Sequence, residues 1–179
     1  MSTLKVVQNT NLIIPDEDGK IIVFERFCKK SLLASGQDDP FHPSVEKWFD
    51  LPGGKVDEPD THLETIKHEA KDELGIGIND AIHFSTMPNP SPKAAPGSLR
   101  DIYLVVSYSG EPVNRAGLAE GHLRMHRLEP SEVPHKVGSK IDFNTASLLA
   151  NTSSQRFRDM CRQHDASSNS IGVEAPQIS

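Results

Sequence analysis

The sequence predicts a single α+β domain, on three observations. Short apolar runs such as NLII, KIIVF and IYLVV are separated by turn residues and read as strands. One segment, THLETIKHEAKDEL, carries helical periodicity. The length, 179 residues, suits one domain with a real core and is short for two.

Taken in order, LKVVQNTNLIIPDEDGKIIVFERF holds two apolar runs around the cluster Pro15–Gly19. Asp18-Gly19 is a hairpin-type signal, so strand, turn, strand is the natural reading. Residues 28–47 lose periodicity and carry Pro, Gly and Asp, which predicts a long loop. WFDL then forms a short strand running into Pro52-Gly53-Gly54. The helix over 61–74 opens with a capping-box signature, Thr61 with Glu64, and closes at Gly75. Leu63, Ile66, Ala70 and Leu74 make its apolar stripe. IHF begins another strand, and the segment 85–98 is predicted as a proline-rich loop. DIYLVVSYSG is a strong strand. HLRMHRL alternates, with Leu123 and Met125 on one side and His122, Arg124 and His126 on the other. A C-terminal helix is expected within 144–163, its last part over 151–163 following the domain proper. Residues 164–179, polar and Ser-rich, are expected to stay disordered.

Composition narrows the function. Apolar residues make up 36% and charged residues 25%, as in a soluble globular protein. The formal net charge of −6 argues against binding a nucleic-acid scaffold through a basic surface. A phosphorylated small molecule stays compatible, because a bound cation can supply that attraction. Cys28 and Cys161 lack C-x-x-C spacing, so neither a zinc site nor a disulfide framework is expected, and a reducing compartment fits. With no apolar leader and no membrane-length run, the expected location is cytoplasmic.

The helix raises its own question. Glu69, Asp72 and Glu73 are three and four residues apart and therefore neighbours on one face. Like charges at those spacings cost roughly 0.2–0.5 kcal/mol per pair. Lys67 and Lys71 stand at the wrong offsets to relieve them, and only His68, four before Asp72, is placed to help. A solvated acidic face is the plain alternative. A divalent-cation site is the sharper one, since hard cations take carboxylate oxygens together with water and substrate phosphates. The adjoining Gly53-Gly54 lets the backbone turn sharply and lets a carbonyl approach a metal closely.

Gly54–Ile76 resembles the Nudix box, G-x5-E-x7-R-E-U-x-E-E-x-G-U, where U is a bulky aliphatic. Gly54, Glu69, Glu73, Gly75 and Ile76 match outright. Asp60 and Asp72 stand where the pattern has Glu, His68 where it has Arg, and Ala70 where it has a larger aliphatic. The aromatic-x-Leu-Pro-Gly-Gly approach at Phe49–Gly54 is also typical of the family. The resemblance implies a Nudix domain over 1–150, an α/β/α sandwich around a mixed sheet. It also implies a hydrolase of the diphosphate bond of a nucleoside diphosphate linked to another group, dependent on Mg²⁺ or Mn²⁺. The family's metal ligands map onto Glu69, Asp72 and Glu73 with the carbonyl of Gly53. The base falls to Glu69 or to a residue of a later loop, for which Glu120 is the candidate, and Glu73 counts among the catalytic carboxylates. The competing expectation is a nucleotide-sensing module of the same fold that cleaves nothing, suggested by His68, which offers fewer donors than the Arg of the pattern.

Lys55, Arg100, Arg124 and Arg127 are candidates to meet phosphates, with Arg124, His122 and His126 the best cluster. Trp48, Phe41 and Tyr103 are candidates for stacking on a base, with a core role as the alternative. Many members of the family are homodimers, a property the resemblance leaves open here.

Overall fold

The computed structural model describes residues 8–57, 60–91 and 94–170. Among the described residues six strands form two three-stranded sheets. Strands β1 (Gln8–Ile13), β5 (Leu99–Ser109) and β4 (Gly77–Pro88) lie in the order β1-β5-β4. Strands β3 (Lys47–Asp50), β2 (Ile21–Phe27) and β6 (His122–Leu128) lie in the order β3-β2-β6. The β1–β5 pair is parallel, with Asn11 opposite Ile102, and the other pairs are antiparallel. The mixed sheet architecture expected from the sequence is present.

Alternation along the strands feeds two separate cores. Leu12, Ile14, Ile22, Phe24 and Val105 face α2 (His62–Glu69) and its continuation, meeting Ile66, Ala70, Leu74 and Ile76. Their neighbours Ile13, Ile21, Val23, Leu104 and Val106 face the other way. There they meet residues of α3 (Val133–Val137), α4 (Phe143–Ala150) and α5 (Ser154–Ser170), including Val133, Leu149 and Phe157. Strands buried on both faces read as continuous apolar runs. Each fully buried Leu, Ile or Phe contributes roughly 1.5–3 kcal/mol relative to leaving it exposed.

Several expectations change. β1 and β2 are joined by the expected turn, but they belong to different sheets. They are linked by the bridge Pro15–Ile21 and by the bonds from Ile22 N to Ile14 O (3.0 Å) and from Asp16 N to Lys20 O (2.8 Å). The expected loop at 28–47 contains the helix α1 (Lys29–Ser35), which ends at Gly36 in the left-handed conformation. Residues 85–88 belong to β4, because pairing with Asp101, Arg100 and Leu99 outweighs the local turn signal. The helix expected within 144–163 is two helices broken near Asn151, and α5 runs on to Ser170, beyond the expected end of the ordered chain. Residues 171–179 lie outside the described residues.

The box helix has the expected start. The Thr61 hydroxyl accepts from Glu64 N, and the Glu64 carboxylate accepts from Thr61 N. Leu63, expected in the apolar stripe, is 46% exposed. After Glu69 the helix widens into a π-helical turn, Ala70–Leu74, and Gly75 closes it at φ 75°. Among the described residues no helix is long and apolar enough to cross a membrane.

Candidate active site

The segment Leu51–Gly54 is pinned to β1 by backbone bonds. Leu12 N donates to Pro52 O and Thr10 N donates to Gly54 O, both at 2.8 Å. Gly53 sits at φ 138°, and a Cβ there would lie 2.1 Å from Thr10 O, so the close approach requires glycine. The Gly53 amide donates to Glu73 Oε2 at 2.9 Å. A Cβ on Gly54 would fall 1.8 Å from Glu69 Oε1. The two glycines therefore hold Glu69 and Glu73 against the backbone elbow.

The carboxylates are not equivalent. Glu73 is 6% exposed, Glu69 is half-buried and Asp72 is exposed. The wide turn explains the split, since π-helical spacing departs from the i, i+3, i+4 alignment that would put all three on one face. Burial pushes the Glu73 carboxyl up to about 8, against the Gly53 N–H, which pulls it down; the Glu69 charge raises it further. The Glu69 carboxyl is raised by burial first, then by the charges of Asp72 and Glu120. Asp72 and Glu120 therefore stand near Glu69 although neither is buried with it. Glu120 lies on the short turn Leu118–Glu120 and is exposed.

His122 lies beneath Glu73. Its Nε2 is 3.3 Å from Glu73 Oε1, and the side chain is 0% exposed. Its ring packs on Phe24 with centroids 4.3 Å apart. Burial lowers its pKa to about 4, with Arg26 lowering it further. Near neutral pH burial thus favours an uncharged ring beside an uncharged carboxyl. The expected alternation of HLRMHRL fails here. A register shift between Glu25 and Arg26 pairs Arg26 with His122, while Glu25 pairs with Arg124. His122 consequently meets Phe24, whereas Arg124 lies over the Phe41 ring at 4.9 Å and His126 Nε2 meets Glu25 Oε2 at 3.2 Å. The expected His122–Arg124–His126 cluster is not formed.

Lys55 and Arg100 line one small pocket of about 140 Å³ beside Gly53 and Gly54, together with Asn11, Arg26 and Asp50. Arg124 does not line it. Arg100 is buried and donates from NH1 to Lys140 O at 3.2 Å. Lys140 in turn meets Asp50 Oδ2 at 3.1 Å. A larger cleft of about 620 Å³, lined by Val106, Tyr108, Arg127 and Arg158, lies at the opposite end of β5, and the box carboxylates line neither cavity. Trp48 lies under Lys140, and Tyr103 sits edge-on to His83.

Sequence reasoning missed two residues of this site, Arg26 and Asp50, and named His122 only within a cluster with Arg124 and His126 that does not form. Arg26 is close enough to lower the pKa of Glu69, Glu73 and His122. Its NH2 donates to the carbonyl of Glu120 at 3.3 Å. Nothing in the local pattern ERF distinguishes it from a solvated charge at a strand end.

Among the described residues no group of three or more His, Cys, Asp or Glu side chains stands ready to hold a metal ion. The donor set still fits a hard cation such as Mg²⁺. Two desolvated carboxylates, Glu69 and Glu73, crowd together, and such ions are commonly held by one or two carboxylates plus water and substrate phosphates.

Comparison with known proteins bears on the family and the fold. A family model described as NUDIX domain matches residues 7–145. The chain is 30% identical over 130 residues to an 8-oxo-dGTP diphosphatase of Haemophilus influenzae, covering 73% of this chain and 85% of that protein. Among solved structures, the E. coli ORF135 protein superposes with a TM-score of 0.57 at 17% identity, covering 82% of this chain and 87% of that one. A MutT NUDIX hydrolase from Burkholderia pseudomallei gives 0.53 at 20% identity, covering 82% and 98%. These structural likenesses speak for the fold.

Proposed function

This chain belongs to the Nudix family of pyrophosphate-bond hydrolases, and on that footing we propose that it cleaves the diphosphate link of a nucleotide substrate with a divalent cation, Mg²⁺ or Mn²⁺, held at Glu69 and Glu73. The observation that carries this reading is the packing of both carboxylates on the Gly53–Gly54 elbow. Asp72, Glu120 and the carbonyl of Gly53 complete the proposed surroundings of the ion. Bound there, a divalent cation neutralises phosphate oxygens and lowers the pKa of a bound water.

The chain's own groups do the rest. Arg26, Arg100 and Lys55, which line the 140 Å³ pocket, are the proposed donors to phosphate oxygens. The Gly53 amide fixes the rotamer of Glu73. Glu69 is the proposed base. Burial and its acidic neighbours raise its pKa, which makes it a better proton acceptor than an exposed carboxylate. Glu120, exposed beside it, is the second candidate. Cys28 and Cys161 are both free thiols, in keeping with a reducing, cytoplasmic setting.

The test is release of nucleoside monophosphate from a panel of nucleoside triphosphates and diphosphate conjugates with Mg²⁺ or Mn²⁺. The panel begins with 8-oxo-dGTP, the substrate named for the Haemophilus influenzae relative. Glu73→Gln is expected to lower turnover by about 100-fold or more while the protein stays folded. Unchanged turnover in that variant, or no metal-dependent release from any substrate, overturns the reading.

A further inference from the structure

We propose that His122 supplies an imidazole nitrogen to the cation site, so that the site prefers Mn²⁺ or another first-row transition ion over Mg²⁺. The inference rests on the metal-dependent hydrolase reading above and concerns the same site. His122 is 0% exposed, and both its ring nitrogens lack a hydrogen-bond partner among the described residues. Leaving a buried polar side chain unpartnered costs on the order of 1–3 kcal/mol, so its retention calls for a reason. Nε2 points to Glu73 Oε1 at 3.3 Å, yet the contact does not make a hydrogen bond.

That separation suits two ligands of one ion. Atoms held about 2.1–2.2 Å from a metal lie about 3.0 Å apart at right angles and about 3.5 Å apart at the tetrahedral angle. The ring cannot swing out easily, because Phe24 packs on it at 4.3 Å and the register shift at Glu25–Arg26 sets its strand position. Glu73 is likewise fixed, by the Gly53 amide on its other oxygen. The pair therefore presents one imidazole nitrogen beside one carboxylate oxygen, Glu73 Oε1. Mg²⁺ takes oxygen almost exclusively, whereas imidazole suits the later divalent ions, whose affinities rise along the first row.

The experiment is pulsed electron paramagnetic resonance on the full chain loaded with Mn²⁺ alone, with natural-abundance or ¹⁵N-labelled histidine. Histidine nitrogen coupling to the bound ion is expected. It should change with the isotope, vanish in His122→Gln and persist in His68→Gln and His126→Gln. Titrations should show the ratio of Mn²⁺ to Mg²⁺ affinity falling about tenfold in His122→Gln. The isotope arm needs no substitution, so a misfolded variant does not disable the test. Bound Mn²⁺ without histidine coupling, or coupling that survives in a folded His122→Gln, overturns the inference and leaves the hydrolase reading standing. Failure to bind Mn²⁺ at all likewise overturns the inference, and the hydrolase reading falls with it only if no substrate is cleaved with Mg²⁺ or Mn²⁺.

Discussion

His68 Nδ1 lies 3.1 Å from Asp60 Oδ2, on the outer side of α2, with the imidazole 64% exposed. Both residues depart from the box pattern, and they pair with each other rather than with Glu73. Glu73 takes its hydrogen bond from the Gly53 amide instead. The hydrogen bond that holds Glu73 therefore comes from the backbone and not from residue 68.

His68→Ala is accordingly expected to leave kcat/KM within about threefold and stability within about 1 kcal/mol, since exposed pairs contribute little. Steady-state kinetics and a thermal melt check this. A loss of more than tenfold in kcat/KM would show that His68 does steer the carboxylates.

The two glycines predict opposite outcomes. A Cβ on Gly54 meets only the end of the Glu69 side chain, which can rotate away. Gly54→Ala should keep the fold and cost about 100-fold in turnover. A Cβ on Gly53 meets the Thr10 backbone at φ 138°, so Gly53→Ala should lose about 2 kcal/mol or more of stability. Melting curves set beside turnover separate the two effects.

Metal-free stability should fall as pH rises from about 6.5 to about 8. Glu73 is raised from 4.5 to about 8. Between those values the folded chain holds a proton that the unfolded chain has released, so stability drops with pH. His122, lowered from 6.5 to about 4, acts with the opposite sign and only below 6.5. Denaturant titrations across this range should show the decline, and Glu73→Gln should abolish it. Added Mn²⁺ or Mg²⁺ should reduce it, because a cation favours the ionised carboxylate.

Arg26→Ala should lower kcat/KM about tenfold or more, since Arg26 lines the pocket and is close enough to Glu69 and Glu73 to shift both. Arg124→Ala should change it little, because Arg124 lies over Phe41 and outside that pocket. Equal effects from the two substitutions would contradict the placement of the pocket.

By itself the sequence determined the box helix with its Thr61–Glu64 cap, the Gly53–Gly54 elbow, the apolar strands and the acidic residues Glu69, Asp72 and Glu73. Each of these follows from contacts between residues close in the chain, where spacing translates directly into geometry. Only the tertiary structure decided that Asp72 faces solvent while Glu73 is buried, that His122 lies beneath it, and that Arg26 joins Arg100 at the pocket. Those outcomes depend on a widened helical turn, a shifted strand register and pairings across many tens of residues. The free energy deciding them comes from packing between distant segments, which local periodicity does not encode.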